Sequence, residues 1–390
     1  MALNPTSFLA SFDITDKTQE LDISPLLLAA LMVDTGVLGA VPIGESVYDT
    51  THWWTQIKLN TGQVTVDGTG YNSVATTIGL AGAGSNELRV GSLLKNVQGG
   101  ITEVAQVTAI ASATSFTVAR GYGGTTAANG TFAANAVVDI INMPLQEASD
   151  IQTDVTQVPS PLSNYTQIFE RSILISRNQQ KRKMASIPDF LAQSLHDRTM
   201  EIKRELEKTV IHGIAASSSP AGSDTVYRTM NGLLAQITNT VGTAEAMSST
   251  VFNNMVQNLV DGGAADDMSH LCLVAPTKIR RTISTFQETN RRLVESDVRA
   301  GHYIEQLVGD LGVQVDVVTS NYLGSGSVAP WQVILLDTSR AKLLPFADDT
   351  FKLMAATDWV DGIKRRVLGE YTLEVRNGDK AHFVHTGLTG

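Results

Sequence analysis

Residues 186–213 read Ser186-Ile187-Pro188-Asp189-Phe190-Leu191-Ala192-Gln193-Ser194-Leu195-His196-Asp197-Arg198-Thr199-Met200-Glu201-Ile202-Lys203-Arg204-Glu205-Leu206-Glu207-Lys208-Thr209-Val210-Ile211-His212-Gly213, and they decide the architecture. Ser186, Pro188 and Asp189 make an N-terminal helix signature, with an acidic residue three after the cap. Leu191, Leu195, Thr199, Ile202, Leu206 and Val210 then recur at steps of four, four, three, four and four. That spacing lines one face of an α-helix. The opposite face is charged, with Glu201–Arg204 and Glu205–Lys208 spaced i,i+3. Gly213 ends the pattern. A helix over 187–212 is about 40 Å long at 1.5 Å per residue.

Upstream, Tyr165–Arg177 is the clearest strand in the chain. Ile168, Ser172, Leu174 and Ser176 lie on one face, and Phe169, Arg171, Ile173, Ile175 and Arg177 on the other. Residues 47–68 also alternate, around Trp53-Trp54 and Gln63–Val66. The expected arrangement is a long antiparallel hairpin between the 53–66 segment and this strand. Between its arms, from about Ala75 to Asn142, charges nearly vanish. Candidate strands there are Glu87–Leu94, Glu103–Ile110, Ser115–Arg120 and Ala136–Ile141, separated by Gly, Ser, Thr and Asn. Short strands with regular turn signals predict a small inserted barrel or sandwich. Residues 143–164, with Pro144, Pro159 and Pro161, suit a linker.

Residues 1–23 show little periodicity and suit an extended arm. Ser24-Pro25 opens an apolar octet, Leu26–Val33, that Asp34-Thr35-Gly36 stops. A helix apolar all round must be covered, either as a core helix or by docking on a neighbour. After the long helix the texture is mixed α/β. Met230–Ile237 is a short apolar segment, and Thr250–Val260 a helix capped by Ser249 or Thr250. Leu271–Ala275 is a buried strand and Pro276–Phe286 a helix; Gln314–Val318 and Gln332–Leu336 are strands. Lys364–Arg376 and Ala381–His385 are predicted to pair around Asn377-Gly378, a strong hairpin dipeptide.

With 390 residues, the chain has room for two or three domains. Hydrophobic residues make up 43% and charged residues 17%, a globular balance. The net charge of −10 argues against gripping phosphate backbones. The acid concentrates near the start: Asp13, Asp16, Glu20, Asp22, Asp34, Glu45 and Asp49 stand against Lys17 alone within residues 1–50. Such a segment is suited to a protein partner. A single cysteine, Cys272, allows no intrachain disulfide and fits a reducing compartment. Met1–Pro5 has no basic n-region, and the octet is too short to cross a bilayer.

No constellation for catalysis emerges. Gly79, Gly82 and Gly84 run opposite to the dinucleotide fingerprint, and Arg120-Gly-Tyr-Gly-Gly-Thr-Thr126 lacks a phosphate-loop lysine; both suit turns. His270 and Cys272 share a strand face but find no third ligand nearby. Asp348-Asp349 suits a polar turn. No metal or cofactor is expected. Basic residues cluster at Lys181-Arg182-Lys183 and Lys364-Arg365-Arg366, either as solvated runs or as partners for the acidic arm. Trp53 and Trp54 face opposite sides of a strand, so one ring should bury outside its own sheet, a hint of an interface.

The order of parts resembles the α+β Hong Kong 97-like capsid fold: N-arm, long hairpin (E-loop), peripheral domain with a spine helix, and axial domain. Three stretches resemble the SU10-type major capsid proteins of tailed bacteriophages: Tyr165-Thr-Gln-Ile-Phe-Glu-Arg-Ser-Ile-Leu-Ile-Ser-Arg177, Met230-Asn-Gly-Leu-Leu234 and Gly369-Glu-Tyr-Thr-Leu-Glu-Val-Arg-Asn377. Leu88-Arg-Val-Gly91 and Val118–Thr125 resemble insertion modules of phage structural proteins. The resemblance implies an arm over 1–50, an E-loop over 51–77 and 143–180, and an inserted β module over 78–142. It places a peripheral domain over 181–229 and 340–390 and an axial domain over 230–339. It further implies hexamers and pentamers of an icosahedral shell, with portal, scaffolding and decoration proteins as partners. Packaged double-stranded DNA would be met by proximity only, with no membrane, in a virion assembled in the host bacterial cytoplasm. Trp53, Trp54, Arg171, Arg177, Lys181, Arg182, Lys183, Lys364, Arg365 and Arg366 become candidate inter-subunit contacts. Alternatives are a tail or baseplate protein, or the shell of a cellular nanocompartment.

The register of the long helix has a direct test. Leu195→Asp places a carboxylate on the apolar stripe and is expected to cost about 3 kcal/mol. Soluble, assembly-competent protein with unchanged thermal stability would disprove that register.

Overall fold

The computed structural model describes residues 36–56, 62–82, 84–98, 101–125, 131–147, 150, 159–181, 190–262, 270–285, 306–324, 330–347, 351–355 and 362–389. The expected helix over 24–33, the Ser186–Asp189 cap, Arg182, Lys183 and Asp348-Asp349 lie outside these residues. The chain forms two compact units, one of residues 1–54 with 162–390 and one of residues 55–161.

The elements follow in chain order. The first unit opens with α1 (Gly36–Ala40) and β1 (Thr51–Gln56). The second contributes β2 (Gln63–Thr65), β3 (Thr77–Gly79), β4 (Leu93–Gln98), β5 (Ile101–Ser112), β6 (Ser115–Ala119) and β7 (Val137–Asn142). The chain returns through β8 (Ser160–Tyr165), β9 (Gln167–Ser176), α2 (Arg177–Lys181) and α3 (Phe190–His212). It continues with α4 (Leu233–Gln236), β10 (Thr240–Val241), α5 (Ser249–Asp261), β11 (Leu271–Ala275) and α6 (Thr277–Ile283). Last come β12 (Gln306–Val308), β13 (Gln314–Thr319), β14 (Trp331–Asp337), β15 (Ala341–Pro345), β16 (Lys352–Ala355), β17 (Gly362–Val375) and β18 (Phe383–Leu388).

The second unit is a closed barrel. Its six strands run β2-β7-β4-β5-β6-β3. An antiparallel bridge from Val66 to Leu80 joins the two ends, and Ala81 donates to the Thr65 carbonyl across the seam at 2.9 Å. Inward residues alternate with outward ones, so Val64, Val66, Ile78, Leu94, Phe116 and Phe132 fill the interior. The barrel takes in 63–65 and 77–79, so it starts earlier than the 78–142 read from sequence. The strand expected at 87–94 begins only at Leu93, because a 3-10 turn occupies Gly84–Glu87 and Gly91 holds φ +99°. Glu103 is fully buried, where Arg120 grips it through two bonds of 2.6 Å. The same guanidinium lies over the Phe132 ring at 4.9 Å. Gly121, Gly123 and Gly124 all take positive φ, confirming that this motif is a turn.

In the first unit, α3 packs its Ile202, Leu206, Val210 and Ile211 into one core with Phe169 of β9, Val367 and Leu373 of β17, and Val37 of α1. Leu195 is only partly buried against that core, so a charge penalty is steeper at Ile202. The strand 165–177 does not return against 53–66. Instead β9 pairs antiparallel with β17 from Tyr371↔Gln167 to Gly362↔Ser176, and β8 is the strand that pairs with β1. The hairpin expected around Asn377-Gly378 is also absent. β17 belongs to the sheet of β15, β16 and β9, whereas β18 joins a second sheet ordered β10-β18-β14-β11-β13-β12. Asn377 adopts φ 54°, so the dipeptide makes a corner between sheets.

The second sheet explains the unbroken apolar run Leu271–Ala275. Both of its faces are covered. Leu271, Leu273 and Ala275 pack under α5 and α6, while Cys272 and Val274 face the core of α3. Ser248 caps α5 by accepting from the Val251 N–H, one position before the residues expected. Pro276 precedes α6 as its cap.

Two polar anchors hold these layers. Asn164 is fully buried; its Nδ2 donates to the Leu373 and Asn231 carbonyls at 2.7 and 3.0 Å, and its Oδ1 accepts from Asn231 N–H at 2.8 Å. The neighbouring Gly232 donates to the Gly213 carbonyl, and a Cβ there would sit 2.7 Å from Gly213 N. That close approach accounts for the Met230-Asn-Gly motif. Replacing Asn164 by Leu strands these groups and is expected to cost about 3 kcal/mol, read by denaturant melts. A loss within error would disprove the anchor.

His382 is fully buried, accepting from Asp337 N–H through Nδ1 and donating to the Arg376 carbonyl through Nε2. Burial pushes its pKa down from 6.5 to about 4. The unfolded chain therefore binds the extra proton first, and stability falls as pH drops from 6.5 towards 4. The loss amounts to about 3 kcal/mol for the subunit. Denaturant melts of a His382→Leu variant across that window should show a flatter pH slope; an unchanged slope would refute the assignment.

Candidate assembly surface

Along β9 and the first half of β17, the sheet is covered on one side only among the described residues. α3 lies over the face bearing Phe169 and Arg171, and Ile173 and Ile175 are buried on that same side of β9. On the other face, Ile168 is 55% exposed and Leu174 is 65% exposed. Glu170, Ser172 and Ser176 lie beside them, all exposed. The register sets Lys364 across from Leu174 and Arg366 across from Ser172. Arg366 also approaches Glu170 at 3.8 Å. The result is an apolar strip with basic groups along it. Strand alternation produces it directly, because each second residue of β9 must face away from the helix.

The residues marked from sequence separate into three groups. Arg171 is engaged inside its own chain: it pairs with Glu205 at 2.5 Å and Glu201 at 3.8 Å, tying β9 to α3. Glu201 also takes Arg198, so both glutamates answer to cations other than the Arg204 and Lys208 expected. Lys208 lies over the Tyr322 ring instead. Trp54 is also an inward residue, 7% exposed and stacked on His52 at 5.7 Å. Trp53, on the opposite face of β1, is 60% exposed. Arg177, Lys181 and Lys364 are exposed, and Arg365 is half-buried.

Two carboxylates escaped the sequence reading. Glu207 is fully buried and accepts from the Val37 and Leu38 N–H groups at 2.9 Å each. It caps α1. The helical wheel carried a signal: Glu207 lies between Val210 and Ile211, within the buried arc. Glu374 accepts from His52 at 2.8 Å and from Arg376. Burial works to raise this carboxyl, but the hydrogen bonds from His52 and Arg376 outweigh it and hold it below the ordinary carboxylate range.

Among the described residues, no group of three or more His, Cys, Asp or Glu is placed to hold a metal ion. Burial pushes the Cys272 thiol up to about 12, so it is not a nucleophile. His270 sits exposed at the turn before β11. No described helix is long and apolar enough to cross a membrane.

Comparisons with known proteins agree with this geometry. The capsid of the native GTA particle superposes with a TM-score of 0.52 at 10% identity, covering 100% of both chains. The capsid of Cyanophage A-1(L) gives 0.50 at 10% identity, covering 98% of this chain and 99% of that one. These likenesses show the fold, the α+β Hong Kong 97-like capsid fold. No curated protein sequence matches. The SU10 major capsid protein family matches residues 10–389. With almost the whole length matched and the fold in agreement, this chain belongs to the SU10 major capsid protein family and is a structural shell protein.

Proposed function

We propose that the chain assembles into hexamers and pentamers that close an icosahedral shell around phage double-stranded DNA. The role is structural rather than catalytic. The observation that carries it is the one-sided sheet: Ile168 and Leu174 stand exposed on a face that their own helix cannot reach. Exposed aliphatics flanked by cations are unfavourable in a lone subunit and suited to burial against a neighbour. The acidic segment within residues 1–50 supplies the opposite charge for Lys364, Arg365, Arg366, Arg177 and Lys181, with Lys183 and Arg182 in the same basic run. Trp53 adds an aromatic anchor on β1.

The net charge of −10 fits a container that must release its genome. Contact with DNA is then by proximity, since cations are spent on protein partners. Portal, scaffolding and decoration proteins are the further partners we propose for this role, with assembly in the host bacterial cytoplasm. The peripheral domain then comprises α3 with the β17 sheet and the axial domain the sheet centred on β14; strand pairing moves β9 out of the 143–180 E-loop into the former and β18 out of 340–390 into the latter.

Negative-stain imaging of the expressed chain tests the proposal. Closed shells or capsomer rings are expected from the parent. The double variant Ile168→Asp, Leu174→Asp should stay folded, because both positions are exposed, and should yield no rings. Tubes or small discrete oligomers from the parent would overturn the shell reading in favour of a tail component.

A further inference from the structure

The barrel's outer wall carries a second uncovered patch. On β7, Val137 is 54% exposed and Ile141 is 50% exposed, with Asp139 exposed between them. On the adjacent β4, Val97 is 50% exposed, Lys95 is exposed and Leu93 is half-buried. The register pairs Lys95 directly with Asp139, and continuing it by two residues sets Val97 beside Val137. Asp139 is oriented by Gln63, whose Nε2 donates to it at 2.8 Å. One opposite-charge pair therefore sits between aliphatic rows on a regular sheet. None of these outward residues contributes to the barrel interior.

We propose that this face is a homotypic contact, packed against the same face of a second copy about a two-fold axis. The charge pattern selects the axis. An axis parallel to the strands, running between β4 and β7, exchanges the two strands. It sets Lys95 of each copy against Asp139 of the other and Val97 against Val137. An in-plane axis across the strands would set Lys95 on Lys95 and Asp139 on Asp139, which repulsion rejects. The first arrangement is self-complementary, as an isologous contact requires. It also stacks two sheets with aligned strands, the usual geometry of face-to-face packing. A patch of balanced charge offers little to a strongly acidic or basic partner. The contact needs only this surface, so it stands or falls separately from shell formation.

Thiol cross-linking in the full chain tests it. The native cysteine, Cys272, is buried and leaves little background. Chains carrying Val97→Cys and Val137→Cys, one bearing a mass tag, are co-expressed, oxidised and separated on a non-reducing gel. The mixed 97–137 dimer should dominate over either like-with-like dimer. Lys95→Asp alone should cut its yield at least about tenfold, since both symmetry-related charge pairs are lost, and adding Asp139→Lys should restore it. Far-UV circular dichroism confirms folding, and Lys95→Gln provides a milder variant with a smaller loss. Absence of the mixed dimer, predominance of like-with-like dimers, or a charge-swapped chain no better than the single variant would overturn the proposal. Rings or shells that form without the cross-link would sink this contact while leaving the shell reading intact.

Discussion

Everything in the first unit hangs on the ladder between β9 and β17. The two strands lie more than 180 residues apart in sequence yet stay in register from Gln167 to Ser176. β17 is also the partner of β15 and β16, so one long strand ties the middle of the chain to its C-terminal part. A one-residue slip would turn Phe169, Ile173 and Ile175 away from α3 and bring Ile168 and Leu174 under it. The helix, with Ile202, Leu206 and Val210 in one core with Phe169, fixes the register. In return, the fixed register determines which aliphatics are left outside. Core packing and the assembly face are thus two results of one alignment.

Much of this was legible in the sequence where the signal is periodic. The stripe of α3 and the two faces of β9 follow from spacing alone, and burial agrees at Phe169, Ile173, Ile202 and Leu206. Partner choice was not legible. Alternation tells which face of a strand is buried, not which strand lies beside it, so β9 was assigned to the nearer segment 53–66 instead of β17. Asn377-Gly378 misled for a related reason. The dipeptide supplies positive φ, which serves a corner between sheets as well as a hairpin. Of the site residues, Trp53 and Lys364 sit exposed. Arg171 turned inward because its partner Glu205 comes from α3, a juxtaposition that spacing cannot see, and Trp54 lies on the same side of β1 as His52, the buried side.

The polar groups buried in this unit share a logic. Asn164, Glu207 and Glu374 are each hydrogen-bonded to backbone or side-chain groups from segments far along the chain. Each leaves a costly orphan if its partner moves away. Apolar packing alone tolerates small slides between layers. These hydrogen bonds do not, so they define the positions from which exposed faces are presented. A subunit that must match identical neighbours gains from such definition, since angular errors accumulate around a ring.

The closure of the barrel through Val66 and Leu80 has a consequence for crowded conditions. An open sheet exposes a row of unpaired N–H and C=O groups, and adjacent copies can zip together through them almost irreversibly. A shell concentrates identical modules at close range, where such zipping would trap any misplaced subunit. By pairing its last strand with its first, the module withdraws its backbone from that competition. Contacts between modules are left to side chains, which let go more easily. Misfitted subunits can then dissociate and try again, so a growing shell keeps the means to correct its own mistakes.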